Sequence, residues 1–159
     1  MKLLKSALTT AVFTFAAATA GAQALPNFSG VWEMNAAKTN FGQFPAPSKY
    51  VVTIEQTGTM IKSSAVMASP NGDMNTKQDF SLDGKPTTGT GMGGSTTSTT
   101  VKLDATGLVA NTKVSMAQGE MTQTAKWSLS PDGKQLTIDQ GMTSQMGEMK
   151  FLIVLDKKP

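Results

Sequence analysis

The residues able to do chemistry are defined first by what is missing. The 159-residue chain contains no histidine and no cysteine. No Ser-His-Asp or Cys-His nucleophile can therefore be assembled, and His/Cys zinc centres are excluded. The side chain most used as a general base near neutral pH is also absent. Eleven acids remain, and a carboxylate pair is possible in principle. Most of them fall on turn signals (Asp73, Asp83, Asp104, Asp132) or on outward strand positions (Asp79, Glu120), as solvated carboxylates do. No lysine is marked by its neighbours as a Schiff-base amine. Gly89-Thr90-Gly91-Met92-Gly93-Gly94 satisfies G-x-G-x-x-G in its letters. A phosphate cradle also needs a strand before it and a helix N-terminus after it. A threonine run follows instead, which is poor helix material, so the segment reads as a flexible loop. Methionine is unusually common, with eleven in the chain. Met142, Met146 and Met149 crowd into G-M-T-S-Q-M-G-E-M, and soft thioether sulfurs suit Cu(I). Methionine also fills irregular interiors without a precise shape, and Met121 and Met149 fall on apolar faces. Copper is a minor alternative. The expectation is a protein without cofactor, metal site or catalytic residues, and not an enzyme.

The elements that must position these residues are strands. Tyr50, Val52 and Ile54 share a face opposite Thr53 and Glu55. Gln78, Phe80 and Leu82 alternate with Lys77, Asp79 and Ser81. Leu108, Ala110, Thr112, Val114 and Met116 share a face, as do Met121, Ala125, Trp127 and Leu129. The last run puts Met149, Phe151, Ile153 and Leu155 together. This is the period of half-buried sheet. Turn signals separate the runs: Thr57-Gly58, Pro70-Asn71-Gly72-Asp73, Asp83-Gly84, residues 104–107, Gln118-Gly119 and Ser130-Pro131-Asp132-Gly133. Residues 86–100 are a low-complexity Gly/Thr/Ser stretch. Its first half cannot pack a core, and its second half has the β-branched content of an exposed strand. No long window keeps a helical period with caps. Nine or ten strands result, each able to pair with the next.

Residues 27–35, N-F-S-G-V-W-E-M-N, read as the opening strand. Gly30 allows another piece of backbone to come close. Trp32 and Met34 point to the same side, and Trp32 is large enough to plug one end of a barrel. Gly30-x-Trp32 on a first strand resembles the signature of calycins: lipocalins, fatty-acid-binding proteins and avidins. The longer string from Phe28 to Pro47, F-S-G-V-W-E-M-N-A-A-K-T-N-F-G-Q-F-P-A-P, resembles the start of a family of small secreted bacterial proteins. That family has a lipocalin-like barrel and no established activity. The likeness returns weakly at Asp132-Gly133-Lys134-Gln135-Leu136-Thr137-Ile138. There are departures. Lipocalins usually pack a late arginine on the first-strand tryptophan; this chain has no arginine, and Lys150 is the expected substitute. Fatty-acid-binding proteins insert a two-helix lid after the first strand. Residues 36–48 are too short for one and are broken by Pro45 and Pro47.

Residues 1–24 read as a cleaved signal peptide. Lys2 and Lys5 form a positive start, residues 7–18 an apolar stretch, and Ala20-Gly21-Ala22 and Ala22-Gln23-Ala24 two A-x-A sites. Removing those two lysines leaves twelve against eleven acids, a net charge of +1 in place of +3. No block of like charge favours nucleic acid or a membrane surface. The expected architecture is therefore all-β: residues 25–159 as one antiparallel up-and-down barrel of about 8–10 strands. A β-sandwich is the alternative that the short hairpin turns disfavour. The expected function is an exported, periplasmic or secreted, non-enzymatic barrel holding a small apolar ligand. The lining candidates are Trp32, Tyr50, Phe80, Trp127, Met149 and Phe151. The rival reading makes those residues plain core, in a periplasmic structural or interaction protein with a filled interior. With no arginine to grip an anion bidentately, a ligand should be neutral or weakly polar. If the glycine-rich loop lies at the barrel mouth, it is a lid.

Overall fold

The structure is a computed structural model that describes residues 26–69, 72–91, 94–104, 107–117, 119–145 and 147–159. The expected signal peptide lies outside the described residues. So do parts of the turns expected at 70–73, 104–107 and 118–119, and Met92, Gly93 and Met146.

Ten strands follow one another: β1 (Gly30–Met34), β2 (Lys49–Thr57), β3 (Met60–Ser69), β4 (Gly72–Ser81), β5 (Thr87–Thr90), β6 (Thr96–Asp104), β7 (Gly107–Met116), β8 (Gly119–Leu129), β9 (Gln135–Ser144) and β10 (Gly147–Lys157). Among the described residues there is no α-helix. Each strand pairs antiparallel with a neighbour in the order β4-β3-β2-β1-β10-β9-β8-β7-β6-β5. The chain thus forms a nearly closed up-and-down barrel, sealed between first and last strands by Trp32↔Lys157 and Met34↔Leu155. The side-chain period does the sorting. Along β7, Leu108, Ala110, Thr112 and Val114 are buried while Asn111, Lys113 and Ser115 are exposed.

One end of the barrel is packed solid. Phe28, Trp32, Ile61, Leu108, Leu136 and Leu155 are wholly buried there, with Ile54, Phe80 and Val101 all but so. Trp32 is the plug. Its indole N–H donates to the Phe28 carbonyl at 2.9 Å. The cation over its ring is Lys157, with Nζ 5.2 Å from the centroid. Lys150, the expected substitute, instead pairs with Glu148 at 3.7 Å on the exposed outer face. The register explains the correction: Lys157 lies opposite Trp32 across the β1–β10 seam, whereas Lys150 is opposite Gly141 on β9. Gly30 is needed for a related reason. A Cβ there would lie 2.6 Å from Lys157 Cε, and its φ is +144°. What comes close is the lysine side chain rather than another backbone.

The two edge strands, β4 and β5, share no ladder. The Thr87 hydroxyl bridges them by donating to the Asp79 carbonyl at 2.7 Å, and Gln78 Nε2 on β4 reaches to β6, donating to Thr99 Oγ1 at 3.2 Å. The stretch expected to be a flexible loop is therefore partly strand. Thr87–Thr90 pairs with β6, Thr87 opposite Thr99 and Thr90 opposite Thr96. Both of its faces are polar, so it carries no alternation by which to be recognised.

Candidate functional site

Beyond the packed end, the interior is a cavity of about 770 Å³. Typical small-molecule pockets span about 300–1,000 Å³, so this one has room for a ligand. Its wall is layered, because each strand contributes residues two apart to the inside. Deepest are Phe80, Trp127, Ile138 and Ile153, with Ala65, Ala110 and Ala125 leaving space above them. Trp127 is the floor. Phe80 and Phe28 meet its ring edge-to-face at 5.3 Å and 5.9 Å, geometry favoured by aromatic quadrupoles.

Neutral polar groups are set into this wall: Ser63, Gln78, Thr112, Gln123 and Gln140. The β-ladders place Ser63 opposite Gln78 and Thr112 opposite Gln123. Buried Thr99 and Thr112 share a 2.9 Å hydroxyl hydrogen bond, and Gln78 donates to Thr99. Tyr50 adds a phenol on β2, and burial raises its pKa above the ordinary value, keeping it neutral. Among the described residues no carboxylate lines the cavity, and Lys77 is the single cation.

The outermost layer is methionine: Met67, Met74, Met116, Met121, Met142 and Met149, joined by Phe151. Across the opening runs the β1–β2 connection, residues 35–48. It is tied to β10 by backbone bonds, Asn40 N–H to the Leu152 carbonyl at 2.7 Å and Leu152 N–H to the Asn40 carbonyl at 2.8 Å. Val154 N–H also donates to the Thr39 hydroxyl at 3.0 Å. The strap then sets Phe41 and Phe44 against Phe151, ring centroids 6.3 Å and 5.9 Å apart. With Pro45, Ala46 and Pro47 it forms the roof. From the far side, Thr90, Gly91 and Ser95 of the glycine-rich stretch also line the cavity.

Five of the six expected lining residues, Tyr50, Phe80, Trp127, Met149 and Phe151, meet in this cavity. Trp32 does not. It is wholly buried in the plug, separated from the cavity by the core layer, because β1 is only five residues long and ends at the packed end. The strap was missed as part of the site. Its signal in the sequence was two phenylalanines and two prolines in F-G-Q-F-P-A-P, apolar residues in a segment without strand period. Among the described residues no group of three or more acidic side chains gathers to hold a metal ion.

No known family profile matches the chain, and no curated protein matches it in sequence. Solved structures do match in fold. The zebrafish ileal bile acid-binding protein complexed with cholic acid superposes with a TM-score of 0.53 at 18% identity, covering 82% of this chain and 98% of that one. Fatty-acid-binding protein 1 of Echinococcus granulosus gives 0.57 at 11% identity, over 83% and 98% of the two chains. The fatty-acid-binding protein of Drosophila melanogaster brain gives 0.52 at 12%, over 82% and 99%. At such identities the likeness is one of fold alone: an antiparallel up-and-down β-barrel.

Proposed function

We propose that the protein is a non-enzymatic carrier of a small, neutral, apolar molecule, exported by cleavage of residues 1–24 and working in the periplasm or outside the cell as a lipocalin-type barrel. The single observation that carries the reading is the cavity wall: an aromatic and aliphatic floor, uncharged polar groups, a thioether rim and, among the described residues, no carboxylate or arginine. Such a wall stabilises a ligand by apolar burial, roughly 25 cal/mol per Å², from which the loss of the ligand's freedom subtracts. The wall offers uncharged amide and hydroxyl groups among apolar ones, which favours a largely apolar ligand with an uncharged polar group, such as a hydroxyl or carbonyl. The calycin-like fold is compatible, since the solved barrels named above are binding proteins by their titles. The export half rests on the charged, apolar and A-x-A order of residues 1–24.

The test is a titration followed by Trp127 emission, with neutral N-phenylnaphthylamine and with a long-chain fatty acid, at low and high salt. The reading expects saturable binding of the neutral probe with little salt dependence, because no ion pair needs screening. Tighter, salt-sensitive binding of the anion would overturn the neutral-ligand reading and point to Lys77.

A further inference from the structure

We propose that Met121, Met142 and Met149 form a binding site for a soft monovalent cation, Cu(I) or Ag(I), at the mouth of the barrel. The three lie on consecutive strands β8, β9 and β10 and all face the cavity. Met142 and Met149 are directly opposite in the β9–β10 ladder. Gln123 is opposite Met142, which makes Met121, two residues before it, the diagonal neighbour. Directly opposed residues in an antiparallel pair hold their Cβ atoms about 4.5–5.5 Å apart, and diagonal ones lie about 7–8 Å apart. Methionine has a long unbranched side chain, so three sulfurs on this lattice can converge on one point. All three are partly buried, reachable from the mouth but shielded from bulk water.

The donor set decides the metal. Thioether sulfur is neutral and soft, which suits Cu(I) and Ag(I) and is poor for Zn²⁺, Ni²⁺ or Ca²⁺. Those harder ions want imidazole, thiolate or several carboxylates. The chain has no histidine or cysteine, and among the described residues no carboxylate lines the cavity. Phe151, two residues from Met149 on the same face, adds a ring whose negative face favours a cation. Simple packing does not ask for this composition. A rim needing only apolar bulk would be met by leucine, yet the outermost cavity-lining residue of each of β7, β8, β9 and β10 is methionine. Met67 and Met74 face each other on β3 and β4, separated from this trio by β1 and β2, and offer only two sulfurs. The site does not depend on the carrier reading. A neutral ligand would occupy the deeper cavity, and the two can be measured apart.

The experiment uses the full chain carrying methyl-¹³C methionine, titrated with Ag(I) in chloride-free buffer and, under reductant, with Cu(I) against a chromogenic chelator. The expected result is saturation at one equivalent, with the methyl signals of Met121, Met142 and Met149 shifting. The triple variant M121L/M142L/M149L conserves volume and should keep the fold. It should lose at least tenfold in affinity, yet still bind N-phenylnaphthylamine. M67L/M74L should bind the ion as the native protein does. Absence of binding would overturn the site. So would shifts spread over all methionines without a one-equivalent endpoint, unchanged affinity in the triple variant, or loss of binding in M92L/M146L instead.

Discussion

Trp32 holds the closed end of the barrel together, and the structure says how much each part of it should matter. The side chain is wholly buried. Its N–H satisfies the Phe28 carbonyl, and its ring lies under the Lys157 ammonium. Trp32→Ala opens a void beneath the core, and large-to-small changes of this kind cost about 3–5 kcal/mol. It also leaves the Phe28 carbonyl without its donor, about 1–3 kcal/mol when buried. The total belongs at the top of the range, about 5 kcal/mol, comparable to the whole stability of many domains. Trp32→Phe keeps most of the plug and loses the donor, so about 1–2 kcal/mol is expected. Lys157→Met keeps the stem and loses only the cation over the ring, about 0.5–1 kcal/mol. The assay is urea unfolding followed by Trp127 emission, present in all three variants. With a slope of about 2 kcal/mol per molar, Trp32→Ala should lower the midpoint by about 2.5 M or leave the chain unfolded. A midpoint within error of wild type would refute the plug. Equal losses for Ala and Phe would refute its division into packing and hydrogen bond.

Gly107→Ala should be among the most damaging small changes, because its Cβ would sit 1.9 Å from the Trp127 carbonyl oxygen, a backbone atom. About 3 kcal/mol or more is expected, against about 0.5 kcal/mol or less for Gly141→Ala, where nothing lies within 4 Å; urea midpoints of the two variants check it. Acid should weaken the barrel through its turns. The Ser81 hydroxyl and the Lys85 backbone N–H hold Asp83 down to about 2 from 3.8, and hydrogen bonds also lower Asp132 and Asp156. These lowered folded-state values mean that the unfolded chain binds more protons, so their contribution is complete above about pH 5 and is lost as pH falls towards 2. The midpoint should drop over that window, and less steeply in Asp83→Asn. Ala125→Trp should fill the space above Trp127, abolishing probe binding while far-UV circular dichroism stays native.

Much of the fold was legible because a half-buried sheet writes its period into the chain. The alternation at 50–54, 108–116 and 149–155 marks both the strands and the inward faces, and it brought five lining residues together by number. What was not legible depends on register or on weak pattern. Trp32 and Met149 look alike as inward residues. Which end of the barrel each occupies follows from where β1 stops and which residue of β10 it meets. The choice between Lys150 and Lys157 hangs on the same seam, across a separation of more than a hundred residues. β5 is short, polar on both faces and paired on one side only, so nothing in T-T-G-T announces it. The strap has no period at all; its residues belong to the site because backbone bonds to β10 carry them over the mouth.

Native mass spectrometry of the protein purified from the cells that make it asks whether the cavity carries a neutral apolar molecule. The expected result is a mass excess that gentle activation removes, released as an uncharged, lipophilic small molecule, and absent from Ala125→Trp isolated the same way. An adduct that is an anionic lipid, or one retained at full occupancy by Ala125→Trp, would contradict it.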